Sequence, residues 1–151
     1  MAFVYNTAAK ELADGTLDLD APATLKIMLV TSAYVADRAD DTVSQAAGAE
    51  ISVSGYVGAF GGAGRKAVTV SAITADDTND RAVVVIDDLT WTALGSGATI
   101  AAAVLIKEIT NDAASRLIAY FDVTATATNG GDITLDFATF AAGGAIRLTT
   151  V

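Results

Sequence analysis

Short runs of apolar and β-branched residues, separated by turns rich in glycine, asparagine and aspartate, dominate this chain. Residues 83–86 form a Val and Ile run that is too short for an ordinary helix, and β-branched side chains suit a pleated sheet. Residues 50–54 alternate apolar and polar positions, as in a half-buried strand. Such patterns predict strands at 25–30, 50–54, 67–73, 83–86, 100–106, 117–123, 133–137 and 146–150. About eight or nine short strands with these turns predict an all-β fold, an antiparallel β-sandwich or jelly-roll-like domain.

One short helix is predicted, near the N-terminus. Residues 7–13 consist mainly of alanine, leucine, lysine and glutamate, which favour a helix. Asn6 or Thr7 is expected to cap its first turn, and Gly15 is expected to end it in the left-handed conformation. No other segment predicts a helix.

The chain is predicted to form a single β domain. Leu17 and Leu19 alternate with aspartates, which predicts an edge strand before Pro22, the only proline. We therefore expect residues 1–22 to form an N-terminal arm with the short helix, and residues 23–151 to form the β-sandwich. A chain of 151 residues is long enough to bury a sizeable core.

Two connections differ from ordinary short turns. Residues 31–48 are polar and form a connection longer than most inside compact domains, which predicts a functional or mobile loop. Asn129-Gly130-Gly131 predicts a tight hairpin whose central residues have positive φ. This hairpin is expected to join the strand at 117–123 to the strand at 133–137.

The residue types present exclude several classes of site. The sequence holds no His and no Cys, so it has no disulfide, no zinc site with such ligands, no cysteine nucleophile and no Ser-His-Asp triad. Its net charge of −9 opposes contact with nucleic acid and with anionic membrane surfaces. No apolar run approaches the roughly 20 residues of a membrane-spanning helix. We expect no cofactor, no metal site, no nucleic-acid partner and no membrane partner.

The glycine-rich residues 58–66, Gly-Ala-Phe-Gly-Gly-Ala-Gly-Arg-Lys, invite comparison with a phosphate-binding loop. Arg65 stands where that motif has lysine, and Ala67 stands where Ser or Thr is needed. The strand-to-helix context of the motif is also missing. We therefore reject a nucleotide site and predict a turn or bulge.

Carboxylates cluster in two places, and more than one interpretation stays open for them. Asp76 and Asp77 begin the first cluster, and Asp87 and Asp88 form the second. Such oxygen ligands suit Ca²⁺, and paired carboxylates can act as general acid and base. We favour solvated turns, because Asp and Asn bond their own backbone in turns and the spacing does not fit an EF-hand.

Trp91, between Thr90 and Thr92, also allows two interpretations. Its ring can serve as a platform on which a ligand stacks. It can instead be a residue of the core or of a subunit contact, which is the interpretation we favour, because a tryptophan buries a large apolar area.

Several segments, in order along the chain, resemble a family of small tailed-bacteriophage virion proteins associated with capsid decoration. The similarity covers most of the chain. It rests on the order and spacing of several short sequence segments. Two of these segments are Asp-Asp-Leu-Thr-Trp at 87–91 and Leu-Ile-Ala-Tyr-Phe-Asp at 117–122. The others lie at 24–34, 53–56, 61–62, 66–69 and 79–83. The loop at 36–48 and the alanine-rich strand at 100–104 depart from the family pattern.

The resemblance implies a structural role without chemistry, and we expect no enzyme. Decoration proteins of this kind bind the outer surface of an HK97-like shell, bridge neighbouring capsomers and resist the pressure of packaged DNA. The implied partners are the major capsid protein and further copies of this chain, as a homodimer or homotrimer. The implied location is the outer capsid surface of the virion, after synthesis in the host cytoplasm.

Two other functions stay open. One is a tail- or fibre-associated β-module that binds a receptor or host surface through its loops. The other is a carboxylate-based hydrolase, which requires the acidic residues named above to face a pocket.

On the decoration hypothesis, contacts with the capsid or with other subunits are expected from apolar and aromatic residues outside an obvious core pattern. Aromatic side chains are good anchors because they bury much area at a low cost in conformational entropy. The N-terminal segment, the long loop and the glycine-rich segment supply the candidates Phe3, Val4, Tyr5, Tyr34, Tyr56 and Phe60. For Phe3 and Tyr5 the alternative is an ordinary edge strand.

Overall fold

The chain has an all-β, sandwich-like fold of antiparallel sheets with one short N-terminal helix, which confirms the predicted fold class. The computed structural model describes residues 2–21, 24–137 and, for the backbone alone, 146–149. The boundary predicted between residues 22 and 23 lies outside the described residues. The strands are β1 (Ala2–Val4), β2 (Leu25–Val30), β3 (Lys66–Ala67), β4 (Val70–Asp76), β5 (Arg81–Ile86), β6 (Leu89–Trp91), β7 (Thr99–Lys107), β8 (Arg116–Ala127), β9 (Ile133–Leu135) and β10 (Ile146–Thr149), and the helices are α1 (Asn6–Ala13) and α2 (Ser44–Ala47).

The largest sheet has five strands in the order β1-β8-β7-β2-β3, all antiparallel. Its central strand, β7, is buried along most of its length, as its apolar sequence predicts. The small Ala103 lies opposite Phe121 of β8, whose ring meets Phe137 edge to face at 5.5 Å. The alanine in the middle of β7 therefore lies beside a large aromatic ring on the next strand.

Two smaller sheets complete the core. One has the order β10-β5-β4 and the other pairs β6 with β9. Val84 and Ile86 of β5, Trp91 of β6 and Leu135 of β9 belong to the same buried cluster as the residues of β2, β7 and β8. One contiguous hydrophobic core thus joins the three sheets.

The pairing of strands differs from the sequence prediction around the Asn129-Gly130-Gly131 turn. Gly130 has the expected positive φ of 90°, but β8 pairs with β1 and β7, while β9 pairs with β6. The predicted hairpin is therefore wrong. Its turn is bonded to Leu94, which accepts from the Gly130 N–H at 2.6 Å and donates to the Gly131 carbonyl at 3.0 Å. These bonds direct the chain away from β8 towards β6.

Two predicted strands are absent and one is divided. Leu17 and Leu19 are buried, but they lie in turns after α1 instead of in an edge strand. Residues 50–54 make only isolated bridges, because the chain turns at Gly55, which has φ of 84°, and Val53 bridges Tyr56 across that turn. The predicted strand at 67–73 is split between β3 and β4, which belong to different sheets.

Helix α1 forms where it was predicted, with different caps. It follows the extended residue Tyr5, which makes no side-chain cap, and Gly15 beyond its end has φ of 76°. The expected capping by Asn6 or Thr7 is wrong, and the expected left-handed glycine is confirmed. The long loop holds a second, four-residue helix, α2, that was not predicted. In the described part of the chain, no helix is long and apolar enough to cross a membrane.

A chain of hydrogen bonds fixes the long loop against the N-terminal strand. The Tyr34 hydroxyl donates to Asp40 Oδ2 at 2.8 Å, so the Tyr5 hydroxyl, 2.9 Å away, donates to Tyr34. Gln45 of α2 donates to Asp40 Oδ1 at 2.9 Å. Burial raises the pKa of both tyrosine hydroxyls, and the bond to Asp40 raises that of Tyr34 further. Both hydroxyls therefore keep the protons that these bonds need.

We predict that Tyr34→Phe lowers the free energy of unfolding by about 1–3 kcal/mol, because Tyr5 loses its acceptor and Asp40 loses a donor in a mostly buried network. Urea unfolding measures the loss. Tyr120→Phe is the matched control, since no hydrogen bond to the Tyr120 hydroxyl is found among the described residues. Equal stability of the two variants would contradict this role for the tyrosine pair.

Candidate interaction surface

The glycine-rich segment, residues 58–64, forms a folded turn that leads into β3, as predicted. The Gly64 N–H donates to the Val57 carbonyl at 2.8 Å, which closes the segment on itself. A Cβ atom at Gly62 would lie 2.2 Å from the carbonyl oxygens of Val57 and Gly58. Because no side chain fits that space, the close turn requires glycine at position 62.

Arg65, directly after this segment, is the most buried charge described. Its side chain is fully enclosed and binds two carboxylates through paired hydrogen bonds. Nε and one terminal nitrogen donate to Glu50 at 2.9 and 2.8 Å, and both terminal nitrogens donate to Asp112 at 2.6 and 3.1 Å. Glu108 accepts a further bond at 3.3 Å. The planar guanidinium thus satisfies carboxylates on several sides at once.

A second cation completes the cluster. Lys26 of β2 lies 2.5 Å from Glu108 Oε2, so two cations meet three carboxylates. Burial disfavours the charge on Arg65, but the bonds to Glu50 and Asp112 outweigh it and raise the pKa of the guanidinium. We call Lys26, Glu50, Arg65, Glu108 and Asp112 the Arg65 cluster.

The Arg65 cluster also fixes the backbone of the glycine-rich segment. Glu50 Oε2 accepts from the Ala59 N–H at 2.9 Å, and Glu108 Oε1 accepts from the Gly61 N–H at 3.2 Å. On the far side of the segment, Trp91 Nε1 donates to the Gly64 carbonyl at 2.7 Å. Three bonds from the protein interior therefore fix a turn that lies at the surface.

Apolar side chains are exposed next to these anchors. Phe60, between the anchored Ala59 and Gly61, is 43% exposed. Val57 is 64% exposed and Ile109, the neighbour of Glu108, is 50% exposed. We call Val57, Phe60 and Ile109 the Phe60 surface. The backbone on either side of Phe60 is held in place by Glu50 and Glu108 of the Arg65 cluster.

Three of the six predicted contact residues lie at opposite edges of the five-stranded sheet. Phe3 and Val4, both half-buried, lie in β1 at one edge, as in the alternative interpretation of an edge strand. The Phe3 ring stacks on Tyr120 at 5.3 Å and lies 5.0 Å from the Arg38 guanidinium carbon. Phe60 belongs to the turn that leads into β3, at the other edge.

Three predicted contact residues lie inside the domain. Tyr5 and Tyr34 are buried and joined by their hydroxyls. Tyr56 is buried, accepts from the Leu29 N–H at 3.1 Å and donates to Glu50 at 2.9 Å. Each hydroxyl finds its partner within the chain, so these rings are packed in the core and are not displayed to a partner.

The acidic pairs lie at or within connections between strands: Asp76 ends β4, Asp77 begins the turn to β5, and residues 87–88 connect β5 to β6. Asp76 accepts from Asn79 and from Arg81, and these bonds lower its pKa, the opposite of what a general acid needs. Asp88 accepts from the Phe137 N–H at 3.0 Å. In the described part of the chain, no three acidic side chains are grouped to hold a metal ion. Trp91 is buried in the core, as favoured.

The Arg65 cluster was missed in the sequence analysis. Its members lie at five separate positions between residues 26 and 112, and no local spacing links them. The one available signal is Arg65 itself, an arginine directly after a glycine-rich turn. In the comparison with a phosphate-binding motif, this arginine is only a departure from the motif's lysine.

No protein-family model, no curated protein and no solved structure matches this chain.

We predict that Arg65→Met lowers the free energy of unfolding by about 3–5 kcal/mol, because it leaves buried carboxylates without their cation. Denaturant unfolding, followed by circular dichroism, measures the loss. Lys10→Met is the matched control, since it removes a cation from an exposed pair with Asp14, and little change is expected. If Arg65→Met were as stable as the control, the cluster would not be what fixes the turn.

Proposed function

We propose that this chain is a structural protein of a bacteriophage virion, a capsid decoration or cement protein. It binds the outer surface of an HK97-like shell and stabilises the shell by bridging neighbouring capsomers. Its partners are the major capsid protein and further copies of itself, and its location is the outer capsid surface. The family resemblance suggests this role, and the Phe60 surface is the observation that supports it best.

The Phe60 surface has the properties of a contact site that works without chemistry. Phe60 provides an aromatic anchor, and Val57 and Ile109 provide aliphatic area beside the same turn. Because the backbone of the turn is bonded to Glu50, Glu108 and Trp91, little conformational entropy remains to be lost on binding. Rigid presentation of an aromatic anchor is typical of residues that contribute most to an interface.

The charge of the chain suits a protein displayed in many copies. With a net charge of −9, neighbouring copies repel each other unless a specific contact holds them. Contacts that are weak individually add up when they are repeated over a symmetric shell. A decoration protein therefore needs only a small apolar contact on each copy.

A tail- or fibre-associated module that binds a receptor is the second candidate, because one open cavity offers polar groups to a ligand. The cavity has a volume of about 370 Å³ and lies along β8 and β9. Threonine hydroxyl groups of this kind can hydrogen-bond a sugar. Its lining consists of Asp122, Val123, Thr124, Thr126, Thr134, Leu135 and Asp136.

The number of copies per virion separates the two candidates. Particles of the source virus are resolved on a density gradient, and this chain is quantified by mass spectrometry in DNA-filled particles, empty shells and isolated tails. We expect hundreds of copies that follow the shell. A few copies that follow the tails would favour the receptor-binding module, and absence from all particles would refute both candidates.

We predict that Phe60→Ser weakens binding to shells that lack this protein by roughly 30-fold, the equivalent of about 2 kcal/mol for an anchor residue. Co-sedimentation of the purified protein with such shells measures the change. Thermal unfolding is expected to be nearly unchanged, because the Phe60 side chain is already exposed. Val35→Ser, at a loop residue that is 87% exposed, is the control and should bind as the original chain does. Unaltered binding of Phe60→Ser would move the contact elsewhere.

A further inference from the structure

Strand β4 ends the three-stranded sheet, and no described strand pairs with its outer edge. Its inner edge pairs with β5 in regular register from Ala72, opposite Val85, to Asp76, opposite Arg81. The outward N–H and C=O groups of these residues are available to another strand. The edge is thus a template for pairing.

In the middle of β4 the side chains are also uncovered on both faces of the sheet, while Val70, Ala72 and Asp76 are half-buried. Successive residues of a strand point to opposite faces, and Ile73, Thr74 and Ala75 are all exposed, with Ile73 at 48%. On the neighbouring strand, Val83 and Val84 are buried. Strand β4 therefore projects beyond the part of the sheet that the core covers.

The usual obstacles to edge pairing are missing from the middle of β4, residues 72–75. Between Lys66 and Asp76 the sequence has no charged residue and no proline, and it includes the strand-favouring residues Val, Ile and Thr. The register is irregular only between Val70 and Ala72. The remaining residues form a regular edge of the kind that natural proteins usually protect.

The distribution of charge favours a second copy of this chain as the occupant. The sequence holds 18 acidic residues, and none of them lies between residues 51 and 75. Two copies that each carry a charge of −9 repel least where such an acid-free segment meets its equivalent. Of the two sheet edges in that segment, β3 has only two residues, and β4 is the longer one, with residues 70–75 free of acidic groups.

We propose that two copies associate by antiparallel pairing of β4 with β4 about a two-fold axis at Ile73. The two three-stranded sheets then form one continuous sheet of six strands. In this register Ile73 lies opposite Ile73 of the second copy, and Thr74 lies opposite Ala72, because opposite residues of an antiparallel pair share a face. No two like charges face each other, and Asp76 keeps its bond to Arg81.

This inference adds an interface to the self-association included in the proposed function, and it does not depend on binding to a shell. Pairing of β4 is tested in buffer with the purified full chain alone. A failure of shell binding and a failure of β4 pairing are therefore separate results.

Sedimentation velocity over a range of concentrations tests the pairing with two charge variants. Ile73→Lys with Thr74→Lys places two lysines opposite each other at position 73, on the two-fold axis, so this variant should be monomeric. Ile73→Glu with Thr74→Glu should be monomeric for the same reason. An equal mixture of the two should form a heterodimer, because at position 73 a lysine then lies opposite a glutamate. Monomers in the mixture, or dimers of either variant alone, would refute the pairing.

Ala33→Lys with Val35→Lys is the matched control. It adds the same charge at two exposed residues of the long loop and should dimerise as the original chain does. Hydrogen exchange of the unmodified chain gives a test without substitutions, in which amides of residues 71–76 should exchange more slowly at high protein concentration. An unmodified chain that stays monomeric at high concentration, or amides of β4 that exchange at the same rate throughout, would overturn the proposal.

Discussion

The structure depends on the neutralisation of Arg65 inside the protein. A guanidinium removed from water is tolerated only when hydrogen-bonded carboxylates surround it. Here they come from Glu50, which follows α2, and from Glu108 and Asp112, which follow β7. Satisfying one cation therefore fixes three distant parts of the chain relative to each other. The position of the glycine-rich turn follows from this constraint, and so does the orientation of the apolar residues that it carries.

Local sequence patterns predicted buried strands better than they predicted turns and strand pairing. Apolar runs such as residues 100–106 predicted β7 correctly, because burial of continuous apolar sequence is a local property. Residues 50–54 have an alternating pattern, but the chain turns at Gly55, and only isolated bridges form. Strand pairing was also beyond local patterns. The turn at Asn129 was recognised, while its bonds to Leu94 depend on a segment more than thirty residues earlier.

Contact residues were predicted by their chemical type, and type alone does not distinguish an anchor in the core from an anchor at the surface. Tyr5, Tyr34 and Tyr56 have rings that suit an interface, yet each hydroxyl meets a partner within the chain. Phe60 has no polar atom in its side chain. It stays at the surface because Glu50 and Glu108 bind the backbone of the turn on either side of it. Which aromatic ring is displayed is thus decided by long-range bonds that the sequence does not reveal.

The bond from Trp91 to the Gly64 carbonyl has a practical consequence. Trp91 is the only tryptophan in the sequence, and it is buried. Its indole N–H donates a hydrogen bond to the backbone of the glycine-rich turn. The ammonium of Lys66 lies 5.8 Å from the centre of its ring. Tryptophan fluorescence, excited at wavelengths that tyrosine does not absorb, therefore comes from a single indole. Its emission reports whether the turn is packed against the sheet, without any attached dye.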